Sequence, residues 1–216
     1  MNFPYIISDM DGVLLDTMRM WFDLGPMYVR SLDREPLPDL QEKIFNLSIR
    51  EGAKMLRQDY ALTLSEEEIM AGITAMADSF YTEKAPLKSG VAETLAQLCA
   101  RGCKCYVATA SATSLAKAAF VRTGIDQYLT DIFCCTEMKL EKTDPHFFSV
   151  LANTLCTTPE NMVLLEDNLH NIEAAKSVGV HTIALYDEPS DNYWPALQQT
   201  ADFAFREFSQ ILTVIK

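Results

Sequence analysis

Two acids flank Met10 at the end of a short apolar run, where Tyr5-Ile6-Ile7-Ser8 leads into Asp9-Met10-Asp11-Gly12. The run has the length and apolarity of a buried strand, and Gly12 marks the turn that ends it. Side chains alternate along extended backbone, so Asp9 and Asp11 point to one side of a sheet with no base between them. Carboxylates held that close need a cation; the other reading of the pair is two loop acids solvated by water. Three further elements with chemical potential stand far down the chain. Thr109 ends the apolar run Cys105-Tyr106-Val107-Ala108, Lys142 sits in Glu141-Lys142-Thr143-Asp144-Pro145, and Glu166-Asp167 close the run from Met162 to Leu165. Together they supply a carboxylate nucleophile, a hydroxyl, a cation and a metal-binding acid, the parts that charge-stabilised group transfer requires.

Those side chains meet only if strand ends converge, as they do along one edge of an open parallel sheet. From Pro86 onward helix and strand patterns alternate. Gly90 to Ala100 reads as a helix with Gly102 past its end, Lys104 to Thr109 as a strand, and Ala112 to Arg122 as a helix closed by Gly124. Ile132 to Cys135, Met162 to Glu166 and His181 to Tyr186 read as strands, with helices over Pro145 to Leu155 and Leu169 to Val178. Ala201 to Phe205 offers a last short strand, and Phe208 to Val214 fits neither pattern. Alternation of this kind predicts an α/β fold, a Rossmann-like and mostly parallel sheet with helices on both faces. Between Asp16 and Pro86 no strand pattern occurs. Thr17 to Leu32 has helical spacing that Gly25-Pro26 should bend or break. Leu40 to Phe45, Ile49 to Tyr60 and Glu66 to Tyr81 read as further helices, the last opened by the capping box Ser65-Glu66-Glu67-Glu68. The expected organisation is a catalytic core of residues 1–16 and 86–216 and an inserted all-helical domain of residues 17–85.

In that order and spacing, Asp9-Met10-Asp11-Gly12-Val13, Thr109, Lys142 and Glu166-Asp167 resemble the four signature motifs of the haloacid dehalogenase superfamily of phosphohydrolases. The resemblance is to the subgroup with a helical cap inserted after the first motif, which includes phosphoglycolate phosphatase and beta-phosphoglucomutase. It implies that Asp9 is a nucleophile forming an aspartyl-phosphate and that Asp11 is the general acid and base. It implies that Thr109 and the backbone N–H of Ala110 bind phosphate, and that Lys142 neutralises both phosphoryl group and nucleophile. Mg²⁺ would be held by the carboxylates of Asp9 and Asp167 and the backbone carbonyl of Asp11, with Glu166 in the outer shell or serving structure. Asn46-Leu47-Ser48-Ile49-Arg50 resembles the cap's substrate-facing turn, so Arg50 either meets a distal anionic group or is simply solvated. Two positions depart from the family pattern: Asn171 stands where glycine is usual, and Glu141 where a small residue is common.

Composition agrees with a sizeable apolar core, at 216 residues and 49% hydrophobic, and the net charge of -12 disfavours a nucleic-acid partner. The six cysteines show no Cys-x-x-Cys pair and read as reduced thiols, and the three histidines are too scattered for a zinc site. No basic and apolar leader opens the chain and no apolar run approaches a membrane span, so a soluble cytoplasmic protein is expected. The predicted activity is Mg²⁺-dependent hydrolysis of a small phosphorylated metabolite, a sugar phosphate or a compound like phosphoglycolate. The nearest alternative is a beta-phosphoglucomutase-like phosphoryl transfer. Those mutases carry a cap histidine twelve positions after the nucleophile, where this chain has Trp21, and an arginine where it has Ile49. A non-catalytic or phospho-receiver-like regulatory protein is the alternative of another class, but a receiver carries no helical cap and a silent relative would have lost an acid.

Overall fold

The computed structural model describes residues 3–45 and 47–216; Asn46, in the expected substrate-facing turn, lies outside the described residues. The chain divides into two compact units, one of Met1–Asp16 with Ala85–Lys216 and one of Thr17–Lys84.

In the first unit six parallel strands form one sheet: β1 (Tyr5–Ser8), β2 (Lys104–Thr109), β3 (Leu129–Cys134), β4 (Met162–Glu166), β5 (His181–Leu185) and β6 (Phe203–Phe205). Their order is β3-β2-β1-β4-β5-β6, so the chain builds outward from β1 on one side and then crosses to the other. The order of winding reverses between β1 and β4, the position at whose carboxyl ends open α/β sheets bind their ligands. The strands are continuous apolar runs because both faces are covered. Ile7, Tyr106, Ala108, Met162 and Leu164 pack with Phe147, Phe148 and Leu151 and with Ala174 and Ala175. Alternation sends Ile6, Cys105, Val107, Val163 and Leu165 to the opposite face, where all five are buried as well.

The helices of this unit are α5 (Val91–Ala100), α6 (Thr113–Thr123), α7 (Cys135–Met138), α8 (Pro145–Thr154), α9 (Leu169–Ser177) and α10 (Trp194–Thr200). The strand expected at 132–135 begins earlier, at Leu129, because exposed Thr130 and Asp131 on the sheet's edge interrupt its apolar pattern. It ends at Cys134, and Cys135 opens the short α7. Phe208–Thr213, unassigned from sequence, is 3-10 helix anchored by buried Phe208 and Ile211.

The segments next to the inserted unit form a short antiparallel ladder within the first unit. Asp16 N–H donates to the Pro86 carbonyl at 2.9 Å and Lys88 N–H to the Leu14 carbonyl at 3.0 Å, with Leu15 and Leu87 bridged between them.

The second unit holds α1 (Met18–Ser31), α2 (Leu40–Phe45), α3 (Ile49–Asp59) and α4 (Glu66–Glu83). Capping boxes open both α3, through Ser48 and Glu51, and α4, through Ser65 and Glu68. Of the bend or break expected at Gly25-Pro26, no break occurs: α1 runs through both residues. A Cβ at Gly25 would lie 2.7 Å from Ile44 Cγ2, so the glycine admits close packing against α2, and burial of Gly25 and Pro26 outweighs the roughly 3 kcal/mol that proline costs a helix interior. No helix among the described residues is long and apolar enough to cross a membrane.

Candidate active site

Asp9 follows β1 directly and extends its ladder, donating its N–H to the Leu165 carbonyl at 2.9 Å. The next residues curl into a tight turn because Leu14 and Leu15 N–H both reach the Met10 carbonyl, while Gly12 N–H reaches Leu15 O. Gly12 takes φ 77°, the left-handed conformation that a β-carbon disfavours. Asp9 is nine-tenths buried, and its Oδ1 accepts from Met10 N–H at 2.7 Å and from Lys142 Nζ at 2.7 Å. Lys142 is itself buried and reaches Glu166 Oε1 at 3.4 Å.

Glu166 ends β4 and has no exposed surface. Asn171 donates its side-chain amide to the same Oε1, while Oε2 is buried with no hydrogen-bond partner. Asn171 can do this because Asn168 caps α9, accepting from the N–H of His170 and Asn171, which places Asn171 in the first turn beside the strand end. Asp167, also buried, accepts from Ser190 Oγ at 3.3 Å.

One carboxylate oxygen from each of Asp9, Glu166 and Asp167 lies within 4.8 Å of the others. Burial, then the charge of Asp9, holds the Glu166 carboxyl well above the usual range. Burial, then Asp9 and Asp187, pushes Asp167 up to about 7, against the pull of Lys142 and Lys88. Burial alone would depress the Lys142 ammonium, but Asp9 and then Glu166 outweigh it and keep the proton firmly bound. Fully ionised, the three carboxylates would carry more negative charge than one lysine balances, which is why two of them hold their protons, and a buried carboxylate oxygen there has no partner. Both observations fit a hard divalent cation bound by oxygen.

Asp11, two residues after Asp9, accepts at its Oδ2 from Ser111 Oγ at 3.0 Å. Thr109 is fully buried at the end of β2, and its Oγ1 accepts from Ser111 N–H at 3.0 Å. It does not cap α6, whose preceding residue is Ala112; Glu137 instead accepts from Thr113 N–H and Oγ1, both at 2.9 Å. Ala110 is exposed, with its carbonyl accepting from Thr136 Oγ1. Arg50 is exposed in the first turn of α3, in the other unit. Sequence reasoning passed over Ser111, Ser190, Lys88 and Asp187, none of which belongs to a recognisable spacing. The Thr109-Ala110-Ser111 hydroxyl pair was the one visible signal.

A parallel sheet with buried carboxylates and a lysine gathered at its switch point defines an α/β enzyme of acid-centred chemistry. The chain belongs to the haloacid dehalogenase-like hydrolase family, whose sequence model matches residues 6–185. It is 27% identical to the phosphorylated carbohydrates phosphatase of Thermotoga maritima over 98% of this chain and 97% of the relative. It is 25% identical to the N-acetylmuramic acid 6-phosphate phosphatase of Pseudomonas putida over 89% of this chain and 88% of that one. Among solved structures, a Thermotoga maritima protein provisionally named a beta-phosphoglucomutase superimposes with a TM-score of 0.83 at 25% identity, over 99% of this chain and 98% of that one.

Proposed function

We propose that this chain is a phosphoric monoester hydrolase acting on a small phosphorylated carbohydrate through an aspartyl-phosphate on Asp9. The observation that carries the reading is the pairing of two differently placed acids on one turn. Asp9 is buried against Lys142, and Asp11, two residues on, is held by a serine hydroxyl. With Oδ1 engaged by Met10 and Lys142, Asp9 Oδ2 is the oxygen that attacks phosphorus, forming the new P–O bond as the bond to the sugar oxygen breaks. Protonated Asp11 gives its proton to the departing oxygen. In the second half Asp11 takes a proton from the water that attacks the aspartyl-phosphate, releasing inorganic phosphate and restoring the Asp9 carboxylate. Lys142 offsets charge on Asp9 and on the phosphoryl oxygens throughout, and Thr109 with the Ala110 N–H receives those oxygens. Asp9 and Asp167 would hold Mg²⁺, with the Asp11 carbonyl as a further oxygen donor and Glu166, clustered with them, either in the outer shell or, through its unpartnered Oε2, as a third ligand; when bound the ion offsets the repulsion between a carboxylate nucleophile and a phosphate dianion. The residue 17–85 segment acts as the substrate-selecting cap, with Arg50 a candidate contact for a distal group.

Both relatives compared by sequence are named as sugar-phosphate phosphatases, which supports a carbohydrate ester. The structural neighbour's name raises phosphoryl transfer between sugar positions as a second reading. Trp21 weighs against it: its indole N–H is committed to Tyr81 Oη at 2.8 Å, and an indole cannot relay a proton near neutral pH. Measuring phosphate release from a panel of hexose, amino-sugar and pentose phosphates, phosphoglycolate and p-nitrophenyl phosphate with Mg²⁺ tests the reading. Turnover of at least one sugar phosphate above the aryl ester is expected, and no release from any ester would refute it. Rapid glucose 6-phosphate formation from beta-glucose 1-phosphate with a trace of the 1,6-bisphosphate, and little free phosphate, would favour the mutase.

A further inference from the structure

The ammonium of Lys88 has its three N–H groups matched to three acceptors on two loops. Nζ lies 2.7 Å from the Gly12 carbonyl, 2.8 Å from the Tyr186 carbonyl and 2.7 Å from Asp187 Oδ1. Gly12 belongs to the turn that carries Asp9 and Asp11, whereas Tyr186 and Asp187 begin the segment after β5. That segment reaches the acidic cluster a second time, because Ser190 N–H bonds the Asp187 carbonyl and Ser190 Oγ donates to Asp167. The Lys88 backbone is fixed as well, through its N–H on the Leu14 carbonyl in the ladder beside the inserted unit.

As a source of stability the pair is poorly built. Asp187 is 5% exposed, and its Oδ2 is buried without a hydrogen-bond partner, so the desolvation of a charge is only half compensated. Buried pairs of this kind contribute little to folding relative to apolar residues of the same volume, but they fix geometry. What this one fixes is the peptide that follows Asp11. Gly12 N–H is held by Leu15 and Gly12 O by Lys88, so the backbone after Asp11 is pinned from both sides.

We propose that Lys88 and Asp187 form a positioning pair that locks the Asp9–Asp11 turn to the segment after β5, keeping Asp11 in register with Asp9 and Asp167. The proposal rests on the phosphatase reading for its effect on turnover, though not for the tether itself. Neither residue is among the groups assigned above to the phosphoryl group or the metal, so on this reading their loss acts on the rate of the chemical steps and not on ester binding.

The test compares wild type, Lys88→Met, the double variant Lys88→Met/Asp187→Leu and Lys176→Met. The double variant removes the stranded carboxylate, so that loss of the tether is separated from loss of fold. Lys176→Met breaks an ion pair of similar length, 2.6 Å from the last turn of α9 to Asp202, the residue before β6. Amide hydrogen exchange read by mass spectrometry should rise in the 9–15 peptide of both Lys88 variants and stay at the wild-type rate in Lys176→Met. With p-nitrophenyl phosphate and Mg²⁺, kcat should fall about tenfold to a hundredfold in both Lys88 variants, as expected for a small displacement of reacting groups, with KM within about twofold. Wild-type exchange in the 9–15 peptide of the double variant overturns the proposal, and so does an unchanged kcat or a matching change in KM. A wild-type protein that hydrolyses no ester overturns the phosphatase reading instead, and the exchange result then decides the tether alone.

Discussion

Replacing Asp167 by Asn should make the metal-free protein more stable at neutral pH while destroying its metal response. The folded Asp167 carboxyl is lifted to about 7, first by burial and then by Asp9 and Asp187, from an ordinary value of 3.8. Between those two pH values the folded chain keeps a proton that the unfolded chain has released, so stability is greatest below 3.8 and declines as pH rises towards 7. At 1.36 kcal/mol per pH unit the gap corresponds to about 4 kcal/mol at most. Asp9 and Glu166 draw on the same proton, so a measured loss of about 2 kcal/mol is expected. Asn has the same shape and no charge, and removes that slope. Urea unfolding in EDTA at pH 4.5, 6 and 8, followed by Trp194 fluorescence in a Trp21→Phe background, reads it directly. The wild-type curve should fall below the variant's as pH rises, and adding Mg²⁺ at pH 8 should raise wild type alone. Parallel curves for the two proteins, or an equal Mg²⁺ response, would refute the account of the cluster as an under-neutralised cation site.

Asp9→Asn should reduce phosphate release to a trace while leaving the thermal midpoint within a few degrees; retention of more than a trace would show that another group is the nucleophile. Lys142→Met strands Asp9 and Glu166 and should destabilise the protein by about 3–5 kcal/mol at pH 8, with a smaller loss at pH 5 where the cluster takes up protons, as denaturant titrations at both values would show. The raised Lys142 pKa adds no slope of its own over that range, because its stabilisation is complete below the unfolded value of 10.5. Exhaustive EDTA treatment should stop turnover and excess Mg²⁺ restore it, whereas full activity after chelation would point to metal-free chemistry.

The strand ends were legible because each follows an apolar run with polar residues: Ile7 with Ser8 and Asp9, Ala108 with Thr109, Leu165 with Glu166. Parallel strands buried on both faces write themselves as uninterrupted apolar blocks, and the sheet they predict is the one observed. Edge strands lose that signature, which is why Leu129–Thr130–Asp131 was missed at the start of β3. Gly25-Pro26 misled because local propensity argues for a break, while the deciding contact with Ile44 comes from another helix. Lys88 and Asp187 lie 99 positions apart and form their pair only once two loops have been placed by the sheet. A lone lysine after Pro86-Leu87 carries no sign of that destination. Asn171 was visible as a departure from the family pattern, but its role as donor to Glu166 depends on where Asn168 starts α9.

The central strand is also the first to be made. β1 lies between β2 and β4, with Tyr5 in register with both Lys104 and Met162, so its second neighbour leaves the ribosome 157 residues after it. At about 5–20 residues per second that is a delay of roughly 8–30 s during which β1 has at most one of its two neighbours. Short apolar β-formers left waiting are the usual seeds of aggregation, and a flanking charge is the usual guard against it. Asp9 and Asp11 stand directly after this run, and the helical segment that follows can bury its own apolar faces while the core is still incomplete. The acids of the proposed reaction centre thus place two charges beside the apolar seed of the sheet from the moment it is made, before there is any pocket for them to serve.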